Sequence, residues 1–390
     1  SGVQYTINTD FISNSKLITG IDHKYSTLKD TKLGSGGADN TIISNQRVNI
    51  IGSFAQYEIK FGDLKLGTGL RYDSYNISNI SGEHNSIKGN VPAPRANILY
   101  DITSNIQFRA SYASGYRAPQ IFDEDLHIET SGARRITHRN SEDLKQETSN
   151  SYNSSFKYNN IFGTVNPVQI ELVAEGFYTR LIDPFANEYT AIDDEGNVEY
   201  TRINTEDDAI VYGGNFEANI AFSKDFIIQT GFTYQKSEYE KAQQWGEEET
   251  STAKEFMKSP NDYGFLTVNY SPLKNFSAAL TGTYTGKMLV PHFGLDPETI
   301  VPAEMEALEN NDVIAGEKLE ISDRFLNMGL KLAYTIEIDK RYKVEWSAGM
   351  QNIMNQTQHD HDSGIYRDAG YIYGPRMARA VTFGLKIGNF

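Results

Sequence analysis

Alternation of apolar and polar residues at a period of two runs through this chain almost from end to end. In 64–72, Leu64, Leu66, Thr68, Leu70 and Tyr72 fall on one face, and Lys65, Gly67, Gly69 and Arg71 on the other. The same pattern returns in 342–351, where Tyr342, Val344, Trp346, Ala348 and Met350 oppose Lys343, Glu345, Ser347, Gly349 and Gln351. A period of two is the signature of a strand with unlike faces. A face carrying lysine, glutamate and glutamine at mid-strand is not a dry core, because unpaired buried charge costs too much. The pattern recurs about fifteen times with no helical segment to cover the apolar face. Such a chain reads as an all-β transmembrane antiparallel barrel, with lipid on one face, a hydrated lumen on the other, short turns at one end and long loops at the other.

Composition narrows the alternatives. The 390 residues hold no run of about 18 apolar positions, which excludes a helical span. A barrel strand needs only about 9–11 residues and gives lipid every second one. There is no cysteine, so disulfides and thiolate metal sites are excluded. A formal charge of −15 argues against nucleic acid as a partner. No G-x-S-x-G, H-E-x-x-H or Walker loop is present, and the expectation is a protein that is not an enzyme.

The strands are expected near 2–10, 15–26, 47–58, 64–75, 91–101, 105–115, 146–158, 168–182, 209–222, 225–238, 260–271, 275–287, 321–336, 341–353 and 376–388. Tight connections such as Phe61–Asp63, Ser223–Asp225 and Ser271–Asn275 carry turn residues. They interleave with long connections at 27–46, 76–90, 116–145, 183–208, 239–259, 288–320 and 354–375. Long loops in strict alternation with short turns give the barrel a polarity, the short side facing the periplasm and the long side the exterior; only 159–167 is a longer turn on the short side. Tyr72, Tyr112, Tyr178, Tyr234 and Tyr284 then fall near external strand ends, and Tyr57, Tyr100, Tyr270 and Tyr342 near periplasmic ends, as two aromatic girdles would.

Several stretches resemble one family. Pro92-Ala-Pro-Arg-Ala-Asn-Ile-Leu-Tyr100 followed by Phe108-Arg-Ala-Ser-Tyr-Ala-Ser-Gly-Tyr-Arg-Ala-Pro-Gln120 is similar to consecutive barrel strands of TonB-dependent outer-membrane receptors. Phe54-Ala-Gln-Tyr-Glu58 with Gly69-Leu-Arg-Tyr-Asp73 resembles the strand pair upstream of these. Gly349-Met-Gln-Asn-Ile-Met-Asn355, then Arg367-Asp-Ala-Gly-Tyr-Ile-Tyr-Gly-Pro375 and Phe383-Gly-Leu-Lys-Ile387, resemble the family's last strands in the same order. The terminal Phe390 would be the aromatic barrel-assembly signal, although Val381, Phe383, Leu385 and Ile387 are out of phase with it by one residue; a bulge at Gly388-Asn389 is expected to correct this.

The resemblance implies a barrel of 22 strands, a plug domain in its lumen and an N-terminal segment bound by TonB. About fifteen strands and no plug are read here, so the chain is expected to be the C-terminal portion of one barrel, starting inside an external loop, with the plug and about seven strands on another segment. The implied function is energy-coupled import of a scarce nutrient through the outer membrane of a Gram-negative bacterium. The implied cargo is a metal chelate such as a ferric siderophore, haem or a cobalamin-like corrinoid. The implied partners are the TonB–ExbB–ExbD complex and a possible surface lipoprotein. A passive porin, or a barrel serving as scaffold or adhesin, is the alternative.

Candidate ligand contacts lie in the long loops. His359-Asp360-His361-Asp362 offers two imidazoles and two carboxylates in four residues. His359, His361 and Asp362 there suit a divalent metal or its chelate, and a solvated polar loop is the alternative reading. His127 follows Tyr116-Arg-Ala-Pro119 and resembles the ligand histidine of the family's haem receptors. Arg134, Arg135 and Arg139, beside His138, form a cationic group that can meet an anionic chelate or pair with Asp123, Glu124 and Asp125.

Overall fold

The computed structural model describes residues 1–9, 14–33, 40–79, 86–119, 136–192, 198–246, 250–297, 300–338, 341–368 and 370–389. In chain order the first strands are β1 (Gly2–Asn8), β2 (Ser15–Leu33), β3 (Asn40–Phe61), β4 (Leu64–Asn79), β5 (Ile87–Asp101), β6 (Ile106–Arg117) and β7 (Ile136–Asn140). Next come β8 (Glu147–Phe162), β9 (Val168–Ile182), β10 (Phe185–Ile192), β11 (Val198–Asn204), β12 (Ala209–Ser223), β13 (Phe226–Gln244) and β14 (Thr252–Glu255). The last are β15 (Asp262–Leu273), β16 (Phe276–Thr285), β17 (Leu289–Phe293), β18 (Glu317–Ile321), β19 (Phe325–Glu337), β20 (Lys343–Gln351) and β21 (Ala380–Gly388), with a short helix α1 (Pro302–Glu309) between β17 and β18.

One antiparallel meander dominates, in the order β1-β2-β3-β4-β5-β6-β8-β9-β12-β13-β15-β16-β19-β20-β21, with β14 paired to β13 as a sixteenth strand. These fifteen path strands coincide one for one with the alternating segments read from the sequence. Their limits differ on the long-loop side. β2 and β3 run as a ribbon to Leu33 and Asn40, and β13 reaches Gln244, because the ladder continues there through residues without the apolar alternation that marks it lower down. The connection expected at 159–167 shrinks to 163–167, with Gly163 at φ +84° where a side chain would be strained. The register of β21 on β20 is unbroken from Ala380 to Gly388; the bulge expected at Gly388-Asn389 falls where this pairing ends, and Phe390 lies outside the described residues.

Register separates two faces. Tyr112, Tyr152, Tyr178 and Tyr212 stand opposite one another on β6, β8, β9 and β12, forming one aromatic row across four strands. The Tyr112 and Tyr152 rings lie 5.1 Å apart. Phe156, Phe216, Leu330, Leu332, Trp346, Phe383 and Leu385 share this exposed apolar face. The opposite face is charged and internally paired. Glu58 accepts from Lys16 at 3.1 Å and Lys65 at 3.0 Å, Arg71 forks onto both oxygens of Asp22 at 2.7 and 2.9 Å and also reaches Asp73, and Lys157 meets Glu171 at 2.7 Å. Near the long-loop end this inner face turns apolar, where Val48, Tyr75, Ile77, Val91 and Ala118 pack together. Gly89 opposite Tyr75 leaves room for its ring, since a Cβ there would lie 2.3 Å from the Tyr75 ring. The Tyr75 hydroxyl donates to Gln146 at 2.8 Å.

Among the described residues the helix and the small strands lie in the long connections, and no helix is long and apolar enough to cross a membrane. β10, β11 and β7 form a separate sheet, β7 running parallel to β11. β17 and β18 form a hairpin. These are the elements that the periodicity left as loops.

Candidate functional site: a loop platform beside the sheet

The long connections 286–324 and 352–379 fold onto each other at one end of the sheet. β17 places Val290 and His292 on the same side of the hairpin, and both are buried. The Ser322 hydroxyl accepts the Met288 N–H at 3.0 Å, which fixes the root of the hairpin. The His292 ring lies flat on Tyr371, 3.7 Å between centroids and 1° between planes. Its Nε2 meets Asp362 Oδ1 at 2.9 Å, with both side chains about 5 % exposed or less. A buried pair of this kind holds its place only with further hydrogen bonds, and Asp362 has one, accepting the Asp368 N–H at 2.9 Å. Asp368 in turn accepts the Phe293 N–H at 2.9 Å, tying the last connection back to β17.

Asp360 is the second anchor. The Tyr371 and Tyr373 hydroxyls each donate to one of its oxygens at 2.6 Å. Burial pushes the Asp360 carboxyl up, but these two hydroxyls and the neighbouring donors outweigh it and hold the group below the usual carboxylate range. Burial and the Asp360 charge push both tyrosine hydroxyls above the ordinary phenol range. Gln358 completes the core, donating to Tyr371 O and accepting the Tyr373 N–H, each at 3.0 Å. Lys258, before β15, donates to Gly370 O at 3.0 Å and brings a third connection into the platform.

The predicted site residues fall into three groups. His127, Arg134 and Arg135 lie outside the described residues. His138 and Arg139 lie on β7, in register with Tyr200 and Thr201 of β11. His359 and His361 are exposed on the platform, with His361 Nδ1 3.2 Å from Gln358 O. Asp362 turns inward to His292. Among the described residues no group of three His, Asp or Glu side chains is arranged to hold a metal ion. The platform therefore offers two exposed imidazoles on a rigid aromatic and carboxylate base.

Sequence reasoning did not identify His292, Gln358, Tyr371 and Tyr373 as a unit. The signal present was Tyr371-Ile-Tyr373 between Gly370 and Gly374 within the 367–375 motif. It marked similarity without saying what the tyrosines hold, because their partners are 11 to 15 residues away, and 79 away for His292.

No curated protein is similar enough in sequence to count as a relative. Solved structures share the fold at low identity, and the chain spans about half the length of each. The FrpB iron transporter from Neisseria meningitidis (F3-3 variant) superposes with a TM-score of 0.64 at 15% identity, over 100% of this chain and 54% of its own. The ferric-catecholate import receptor Fiu from E. coli gives 0.65 at 14%, over 100% and 54%. The ferripyoverdine receptor of the outer membrane of Pseudomonas aeruginosa, bound to ferripyoverdine, gives 0.67 at 14%, over 100% and 47%. The family model described as TonB dependent receptor-like, beta-barrel, matches residues 1–353. The chain therefore belongs to the TonB-dependent receptor β-barrel family.

Proposed function

We propose that this chain is the C-terminal portion of the barrel of a Gram-negative outer-membrane receptor that imports a metal chelate. The family is one of receptors and transporters, not enzymes. The observation that carries the reading is the pair of unlike faces along one fifteen-strand meander, apolar and exposed on one side, charged and paired on the other. Iron transport and ferric-chelate import in the printed descriptions of FrpB, Fiu and the ferripyoverdine receptor support the choice of cargo. In this reading a plug and about seven further strands complete the barrel, and the TonB–ExbB–ExbD complex supplies the energy by pulling on an N-terminal segment. The cargo is met outside by His359 and His361 on the platform, together with His127, Arg134, Arg135, His138 and Arg139 of the 116–145 connection. Asp362 joins such a site as a metal ligand only by giving up His292.

The test is uptake of labelled ferric chelates by cells carrying the full-length receptor, with and without TonB. Accumulation that needs both receptor and TonB is expected. Equal flux of the same chelate through the purified receptor in liposomes, with no energy source, would establish a passive pore and end this reading.

A further inference from the structure

We propose that Asp360, Tyr371 and Tyr373 form a coordination site for a small, hard, trivalent cation such as ferric iron. The inference rests on the import reading for the fate of the ion. It adds how the metal itself is held: by oxygens of the protein, not only through a chelator.

Three hard oxygen groups converge on the platform. Tyr371 Oη lies 2.6 Å from Asp360 Oδ2 and Tyr373 Oη 2.6 Å from Asp360 Oδ1, so each carboxylate oxygen has a phenol beside it. The two rings are fixed in place by other contacts. The His292 ring lies on Tyr371 at 3.7 Å, and Tyr371 is only 2 % exposed. Gln358 holds Tyr371 O and the Tyr373 N–H, each at 3.0 Å. Gly374 lets the chain pass close to Phe325, since a Cβ there would lie 2.8 Å from that ring. Asp360 itself is exposed and Tyr373 half-buried, which leaves an approach for the ion and room for water to complete its shell.

Size and charge choose the cation. Neighbouring ligands of an octahedral ion lie about 1.4 metal–oxygen distances apart, roughly 2.8 Å for an ion bound at about 2.0 Å and roughly 3.3–3.7 Å for calcium. The two 2.6 Å spacings fit the smaller ion. Softer metals prefer thiolate and imidazole. The chain has no cysteine, and the buried imidazole of the platform, His292, is taken by Asp362. Magnesium has the right size but gives up its water reluctantly, and its charge balances only part of the site. Two phenolates and one carboxylate together match a trivalent ion. Without a cation, burial and the Asp360 charge keep both phenols protonated; a bound trivalent charge inverts that balance. Binding breaks both phenolic O–H bonds, forms two phenolate–metal bonds and gives the two protons to solvent, with no change in oxidation state.

The test titrates the full-length receptor in detergent with ferric nitrilotriacetate and reads the visible phenolate-to-iron charge-transfer band. A band that saturates at one-to-one stoichiometry is expected. Tyr373→Phe should weaken binding at least tenfold, since even groups behind a metal ligand are worth about 10–100-fold in affinity. Tyr371→Phe/Tyr373→Phe keeps both rings and should remove the band. Heat-modifiable gel mobility checks folding, and Tyr373→Phe alone carries the test if the double variant does not fold. Tyr284→Phe, which breaks a lone 2.6 Å phenol–carboxylate pair with Asp262, is expected to leave the band as in the parent. Gallium should compete with ferric iron, and calcium and zinc should not. No band in the parent, or an undiminished band in the double variant, overturns the proposal. Competition by calcium or zinc equal to that by gallium overturns the choice of ion. Failure of the import reading is separate: a receptor that shows no band yet imports a ferric chelate with TonB loses only this site. One that binds ferric ion without importing loses only the import reading.

Discussion

The sheet and the platform are held by different physics. In the sheet, neighbours in sequence are neighbours in space, the ladder supplies the hydrogen bonds, and large apolar side chains such as Phe383 and Trp346 stay exposed. Such a wall has no core of its own on that face; the bilayer takes that part. In the platform, contacts join residues far apart in sequence, such as His292 with Asp362 and Lys258 with Gly370. There the core is protein. Tyr371, Val290 and Ser322 are among the largest fully buried side chains, whereas the large apolar residues on the outward face of the sheet are not. The difference shows where substitutions act: the wall is sensitive to polarity, the platform to shape.

Four changes separate the two regions. Tyr371→Ala removes the ring beneath His292 and one donor to Asp360, and is expected to cost the platform about 3–5 kcal/mol. Hydrogen exchange should then speed up in β17 and β18 while the heat-modifiable mobility of the barrel is unchanged; a barrel that loses its shift would mean that the two regions are one unit. Leu330→Arg, on the apolar face of β19, is expected to cost about 2–4 kcal/mol near the bilayer midplane. It should reduce assembly of heat-modifiable barrel, and normal assembly would argue against lipid on this face.

The third change is pH. The Asp360 carboxyl is held below its ordinary value, so its contribution is present above the unfolded carboxyl value of about 3.9 and is lost as pH falls through the lowered folded value. The Tyr371 and Tyr373 hydroxyls are raised, so theirs is present below the unfolded phenol value of about 10 and is lost as pH rises through the raised one. Protection of β17 and β18, corrected for intrinsic exchange rates, should stay flat from about pH 5 to 9 and fall only outside that window. A step inside that window would show that neither Asp360 nor the two tyrosines controls the platform. Smallest is Lys318→Gln. It breaks an exposed 2.6 Å pair with Glu320 on β18, with an expected change within about 0.5 kcal/mol by thermal melting.

The same contrast explains what was legible in the sequence. Fifteen strands could be read because a lipid face imposes strict alternation, as in Leu64, Leu66, Leu70 and Tyr72. The upper parts of β2, β3 and β13 were missed because the ladder continues there while the apolar–polar alternation lapses. β17, β18 and α1 were missed because five- and eight-residue elements carry too little periodicity to stand out. His359, His361 and Asp362 were found as a local cluster, but the inward turn of Asp362 depends on His292, 70 residues earlier. No spacing rule reaches that far.

The most direct test of the central claim exploits the absence of cysteine from this sequence. Single cysteines placed in turn at Val344, Glu345, Trp346, Ser347, Ala348 and Gly349 of β20, in the full-length receptor in native outer membranes, can be probed from both phases. The account predicts alternation: labelling by a water-soluble maleimide at 345, 347 and 349, and contact with a lipid-borne probe at 344, 346 and 348. Equal labelling at all six positions by either reagent would contradict a wall between bilayer and lumen.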